Sequence, residues 1–262
     1  MKYKTRDGTT LHYSQTGKDS PSLIFMHGLN ANKTIWNDVI KNLSYHTVCM
    51  DLRGHGESEK PYNQERYDIK RFIQDIEELR KNEDVGEYVL IGHSFGGMIA
   101  MQHEISKKSA KGLVLISTSA DVTPTFIEDK FGKNILEQIK DKVEKIERVV
   151  DRNHNLNMES YGDTYNVWME ELLSMTPHAA LSCIETILDI DMTNELENIE
   201  TPVKIIHGKK DEIIPFEEGK KLYKNISQAT LTLIEEGYHQ PMLDHSQKIS
   251  KAIEDFMDSL AK

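Results

Sequence analysis

Short apolar runs alternate along this chain with longer stretches in which apolar residues return every three or four positions. The runs are Ser22–Met26, Thr47–Met50, Tyr88–Ile91, Gly112–Ile116, Val203–Ile206 and Thr230–Ile234. Up to Gly112–Ile116 they are short and apolar throughout rather than alternating with polar residues, the pattern of strands buried on both faces. Between them, Ile69, Phe72, Ile73, Ile76 and Leu79 recur with helical spacing up to Lys81. Ile35, Trp36, Val39, Ile40 and Leu43 line one face of another predicted helix, a further helix follows Pro215, and Ile249, Ile253, Phe256 and Leu260 mark a closing one. Near the N-terminus, Tyr3–Thr5 and Leu11–Gln15 flank Asp7-Gly8, a hairpin signal. Strands alternating with helices predict an α/β fold: a mostly parallel central sheet with helices on both faces.

The rhythm breaks at residues 119–200, where no strand pattern is found. Asn134 precedes a helix carrying Ile135, Ile139, Val143, Ile146 and Val149, with Glu137 completing a capping-box-like start. Trp168, Leu172 and Met175 mark a second helix, and Thr176-Pro177 opens a third that carries Leu181, Ile184 and Leu188. The interval reads as a helical cap inserted between a first core part, residues 1–118, and a second, residues 201–262. Phe126, Phe131, Met158, Trp168 and Met169 are its candidate wall for an apolar substrate.

Composition narrows the partners. A net charge of −11 repels a phosphate backbone and argues against nucleic acid. No apolar stretch approaches the roughly 20 residues of a membrane span, so no membrane association is expected. Met1–Thr5 leads into strand-like sequence without a charged and then apolar leader, so no signal peptide is expected. Cys49 and Cys183 fall in a predicted strand and a predicted helix, and form neither a disulfide framework nor a metal site. A reducing, cytoplasmic location is the simplest expectation.

The chemistry gathers around Gly92-His93-Ser94-Phe95-Gly96-Gly97. A predicted strand enters this segment and a predicted helix leaves it, so Ser94 sits on an abrupt turn. Such a turn strains the serine backbone and lifts its hydroxyl clear of the sheet, while strand and helix pass so closely that Gly92 and Gly96 must lack side chains. A serine hydroxyl is a poor nucleophile at neutral pH and needs a base, and the base needs a group that fixes its tautomer. Asp211 and His239 each follow a predicted strand, as Ser94 does, and loops at the carboxyl ends of parallel strands converge on one edge. Asp121 is a rival acid and His245 a rival base. His27 is expected to order its loop without doing chemistry, and His93 to pack or hydrogen-bond locally. In Asp51–Ser58, Asp51 and Arg53 are expected to bond exposed backbone groups.

With His27-Gly28, Asp51–Ser58, Gly92–Gly97, Gly208-Lys209-Lys210-Asp211 with Ile214-Pro215, and Gly237-Tyr238-His239 in this order, the sequence resembles the α/β-hydrolase superfamily. It is most similar to the small cytosolic, lid-bearing branch of esterases, non-haem haloperoxidase-like enzymes and C–C bond hydrolases. The resemblance implies Ser94, His239 and Asp211 as catalytic residues, and an oxyanion hole made by the backbone N–H groups of Leu29 and Phe95. Leu29 stands where haloperoxidase-like relatives often carry an aromatic residue. Serine at the elbow departs from the aspartate of dehalogenases and epoxide hydrolases. The implied activity is hydrolysis of a small or medium carboxylic ester or thioester, a small-molecule acyl substrate, through an acyl-enzyme and without metal or organic cofactor. The same residues would also suit a C–C bond hydrolase, a lyase, an acyltransferase, or a slow-turnover small-molecule receptor.

Overall fold

Asp7-Gly8 turns the chain as its sequence predicts. Gly8 takes a φ of 87°, and β1 (Lys2–Lys4) pairs antiparallel with β2 (Thr10–Thr16). These and the following features come from a computed structural model, which describes residues 1–122 and 175–261. Six more strands follow: β3 (Asp19–Met26), β4 (Tyr45–Met50), β5 (Tyr88–His93), β6 (Gly112–Ile116), β7 (Val203–Gly208) and β8 (Ala229–Ile234). The sheet order is β1-β2-β4-β3-β5-β6-β7-β8. Only β1–β2 and β2–β4 run antiparallel, and every later neighbour pair is parallel.

The continuous apolar runs have a direct cause in this arrangement. Successive side chains of a strand point to opposite faces, and both faces are covered. Leu23, Phe25, Val89, Ile91, Val114 and Ile116 pack with Trp36, Ile249, Ile253 and Phe256. On the other face Ile24, Met26, Leu90, Leu113 and Leu115 pack with Phe72, Ile76, Leu79 and Ile99. Each such side chain contributes about 1.5–3 kcal/mol when removed from water. The covering helices include Ile69–Asn82, Phe95–Lys107, Phe216–Asn225 and Ser246–Leu260. Among the described residues, no helix is long and apolar enough to cross a membrane. Cys49 and Cys183 are buried and free.

Two helices differ from the sequence pattern. The one expected over Ile35–Leu43 is a 3-10 turn, Lys33–Trp36, followed by a single α turn, Asn37–Ile40. The Asn32 side chain accepts from the Thr34 N–H at 2.9 Å and starts the chain tightly, and the Leu43 N–H returns to the Ile40 carbonyl at 3.1 Å. Trp36 and Val39 still reach the core. A short helix, Pro241–Asp244, precedes the closing one and has too few residues to show a period.

Of the interval 119–200, the helix Pro177–Leu188 forms where Thr176-Pro177 placed it. The edges of the interval meet: Asp121 bridges antiparallel to Asp191, and the Met192 N–H donates to the Ala120 carbonyl at 3.0 Å. The helices expected from Ile135 and around Trp168 lie outside the described residues, as do Phe126, Phe131, Met158, Trp168 and Met169.

The loop after β4 shows why its polar residues are there. The Asp51 carboxylate accepts from the backbone N–H of Lys33 at 2.7 Å and of Glu57 at 3.0 Å, as expected, and also from Lys33 Nζ at 2.7 Å. A β-carbon at Gly56, whose φ is 50°, would strike that carboxylate. For Arg53 the expectation is corrected. It does reach one backbone group, the Arg66 carbonyl at 2.6 Å, but it mainly serves two carboxylates, the buried Asp75 and the partly buried Asp7. Its guanidinium donates to Asp75 through Nη2 at 2.5 Å and Nε at 2.7 Å, and to Asp7 at 3.0 Å. Burial pushes the Asp75 carboxyl up to about 6, against the opposing pull of Arg53. Removing one partner leaves a buried charge uncompensated, a loss of about 3–5 kcal/mol. We expect Asp75→Ala to fall near the lower end of that range in urea unfolding, because Asp7 still contacts Arg53; a loss below about 1 kcal/mol, the scale of an exposed pair, would contradict the assignment.

Candidate active site

β5 ends at His93 and the next helix begins at Phe95, so a single residue makes the turn. That residue, Ser94, has φ 50° and ψ −118°, a conformation that costs a non-glycine residue about 1–3 kcal/mol. Close packing imposes it. A β-carbon at Gly92 would collide with the Gly96 carbonyl, and one at Gly96 with the Met26 and His27 carbonyls. One at Gly97 would run into the Thr118 side chain. The Ser94 N–H donates to the Ile116 carbonyl at 3.0 Å, extending the β5–β6 ladder up to the turn.

The loops after β7 and β8 come together beside it. A β-carbon at Gly208 would strike the carbonyls of Gly237 and Tyr238, so the two strand ends approach without side chains between them. This brings Asp211 to His239. His239 Nδ1 lies 2.9 Å from Asp211 Oδ2 and 3.1 Å from Oδ1, and His239 Nε2 lies 3.2 Å from Ser94 Oγ. Asp211 Oδ1 also accepts from the N–H groups of Ile213 and Ile214, each at 2.9 Å. Burial alone would raise the Asp211 pKa, but the bond and charge of His239 and the Ile214 N–H bring it below its ordinary value. An ionised carboxylate only accepts, so the His239 proton sits on Nδ1 and the Nε2 lone pair faces the serine hydroxyl.

Neither rival joins this chain of contacts. Asp121 lies in the bridge to Asp191, and His245 is the residue before the closing helix, with its N–H on the Pro241 carbonyl at 2.8 Å. Among the described residues, neither side chain bonds to Ser94 or His239.

Buried histidines surround the cluster. His27 accepts from the Leu52 N–H through Nε2 at 3.1 Å and donates through Nδ1 to the Gly28 carbonyl at 2.7 Å. Burial brings its pKa down to about 4, so the ring is neutral. The carbonyl and N–H of one trans peptide point opposite ways, so holding the Gly28 carbonyl turns the Leu29 N–H away from His27. Gly28 itself lies against Ser94: a β-carbon there would be 3.0 Å from Ser94 Cβ. The N–H groups of Leu29 and Phe95 have no hydrogen-bond partner among the described residues, and the Phe95 N–H carries the positive end of its helix. The expectation of a local bond for His93 is corrected: its Nε2 donates to the carbonyl of His239, 2.7 Å away and 146 positions along the chain. Burial, with His239 beside it, brings the His93 pKa down to about 3. His207 is a residue that the sequence pattern passes over. It is the next-to-last residue of β7, donates through Nε2 to the Ile214 carbonyl at 2.9 Å, and lies 3.5 Å from Asp211 Oδ2.

A protein-family model described as serine aminopeptidase, S33, matches residues 17–246. The chain is similar to an AB hydrolase superfamily protein, YisY, of Bacillus subtilis (strain 168), with 26% identity over 266 residues and 98% of each chain covered. It is also 25% identical over 254 residues to the non-heme chloroperoxidase CPO-A1 of Kitasatospora aureofaciens, covering 90% of each. Among solved structures, an esterase from Exiguobacterium antarcticum superposes with a TM-score of 0.76 at 22% identity, over 98% of this chain and 99% of that one. At that identity the likeness speaks for the fold alone.

The geometry separates the two candidate acids by experiment. Replacing a carboxylate that orients a catalytic histidine with asparagine favours the wrong tautomer, with a loss of about 10⁴-fold in one protease. We expect Asp211→Asn to slow fluorophosphonate labelling of the protein by orders of magnitude and Asp121→Asn to leave it near the native rate. The reverse order would move the acid to Asp121.

Proposed function

The chain belongs to the serine aminopeptidase S33 family of α/β hydrolases, and from that premise we propose that it hydrolyses small or medium carboxylic esters or thioesters through an acyl-enzyme on Ser94. The observation that carries the reading is the continuous contact from Asp211 through His239 to Ser94 Oγ, beside N–H groups at Leu29 and Phe95 that have no partner among the described residues.

In this reading His239 Nε2 takes the Ser94 proton as Oγ adds to the acyl carbon. The negative charge that develops on the carbonyl oxygen is held between the Leu29 and Phe95 N–H groups. Losing one such donor typically costs about 2.7–4 kcal/mol of activation energy. Collapse breaks the bond to the leaving alcohol or thiol, which receives the proton from His239. Water then repeats the sequence: His239 takes its proton, the hydroxyl adds to the acyl carbon, and Ser94 leaves as the proton returns to it. Asp211 stays ionised throughout, holds the imidazole in place and stabilises the imidazolium. Residues 119–200 would form the cap, with Phe126, Phe131, Met158, Trp168 and Met169 as candidate walls of the acyl pocket. A cytoplasmic location, without a membrane or nucleic-acid partner, belongs to the same proposal.

The test is a panel of p-nitrophenyl esters of increasing acyl length, run beside amino-acyl p-nitroanilides. We expect multiple turnover on the short and medium esters and its abolition in Ser94→Ala, which should fold normally and resist fluorophosphonate labelling. Faster cleavage of the anilides would favour peptidase chemistry, the activity in the family description. A single burst that stalls after one equivalent would favour a receptor. Retained labelling in Ser94→Ala would remove Ser94 as the nucleophile.

A further inference from the structure

Ser94 and Phe95 share a peptide unit whose carbonyl faces away from the proposed oxyanion site and is crowded with donors. It accepts from the Gly97 N–H at 2.9 Å, the Met98 N–H at 3.1 Å and the Thr118 hydroxyl at 2.7 Å. The backbone bonds come with the start of the helix. The Thr118 bond does not, because it crosses from the end of β6 to the turn after β5.

Several features set this contact apart from an incidental one. Thr118 is 1% exposed, so its hydroxyl has no water to turn to. The hydroxyls of its neighbours Ser117 and Ser119 are buried and unpartnered among the described residues, so the segment does not satisfy its polar groups indiscriminately. Ser117 takes a φ of 45°, which a serine rarely adopts unaided. Its N–H still donates to the Ile206 carbonyl at 2.9 Å, so the bend occurs at the last rung of the β6–β7 ladder. Gly97 has no β-carbon, and that is what lets the Thr118 side chain sit against the first turn of the helix.

We propose that Thr118 is a positioning residue: by holding the Ser94 carbonyl it fixes the direction of the Phe95 N–H that stabilises the oxyanion. The inference rests on the hydrolase reading above. The logic is that of His27, which holds the Gly28 carbonyl and so aims the Leu29 N–H. Each donor peptide is then gripped from its far side by a side chain that never touches substrate. Such a grip matters most in the transition state, because a donor aimed in advance needs no reorganisation when charge appears.

Thr118→Val keeps the shape of the side chain and removes only the hydroxyl, and Thr118→Ser keeps the hydroxyl. On a p-nitrophenyl ester that the wild-type protein turns over, we expect Thr118→Val to lower kcat by about tenfold to a hundredfold, the scale of a small misplacement. KM should stay within about twofold, since the lost interaction is one made in the transition state. The same variant should weaken a trifluoromethyl ketone by a similar factor. That probe bonds its carbonyl carbon to Ser94 Oγ, passes the serine proton to His239 and leaves an oxyanion in the site. Thr118→Ser should recover most of both losses. If Thr118→Val does not fold, Thr118→Ser and Thr118→Ala make the same comparison. An active wild type with equal kcat and equal ketone affinity across the hydroxyl-bearing and hydroxyl-free variants overturns this inference alone. A loss confined to thermal stability, with kcat unchanged, does the same. A wild type that neither turns over esters nor labels at Ser94 overturns the hydrolase reading, and the inference with it.

Discussion

Ser94 is held at φ 50° because β5 and the following helix approach too closely for any gentler turn. That approach depends on the missing side chains of Gly92, Gly96 and Gly97, which would otherwise strike the facing backbone of the turn, the end of β3 and Thr118. The strain is offset by order around it: the Ser94 N–H is tied to β6, and its carbonyl is tied to the helix and to Thr118. An alanine at Gly92 or Gly96 would meet backbone rather than a movable side-chain end. The turn therefore cannot relax in part; it either keeps its shape or is rebuilt.

Around that fixed point, the polar groups are arranged by bonds to backbone as much as to one another. Ile213 and Ile214 hold Asp211, Asp211 holds His239, and His93 grips the carbonyl of His239 from the elbow side. His27 orders the loop that carries Leu29. Burial lowers the pKa values of His27, His93 and His207, so these rings serve as neutral donors and acceptors near the cluster rather than as competing cations. His239 differs from them in being partly exposed, with Nδ1 within 3.1 Å of both Asp211 oxygens and Nε2 3.2 Å from Ser94 Oγ. The division of labour is physical: the dry histidines hold backbone, and the partly exposed one bridges the carboxylate and the serine hydroxyl.

Much of this was legible in the sequence, for identifiable reasons. A strand buried on both faces has to be apolar throughout, and that marked the core strands. A serine between glycines, with a strand before it and a helix after, marked the elbow. Strand ends leading directly into Asp211 and His239 marked the rest of the cluster. What escaped depended on contacts across long separations. The His93 bond to His239, the Arg53 pairing with Asp75 and the Thr118 bond to Ser94 leave no periodic trace, because a polar residue at a strand end or in a loop has many possible partners. The helix expected over Ile35–Leu43 had the right apolar face but is shortened by the turn that Asn32 caps, which an apolar period does not register. The candidate acyl-pocket residues from Phe126 to Met169 lie outside the described residues.

In the proposed hydrolysis the acyl group passes through a covalent bond to Ser94 Oγ. The most direct test is to quench steady-state turnover of a slowly deacylating ester in acid and map the protein by mass spectrometry. An adduct of the acyl mass is expected on the peptide that carries Ser94. Turnover with no adduct at any accumulation of intermediate, or an adduct on a different residue, would contradict it.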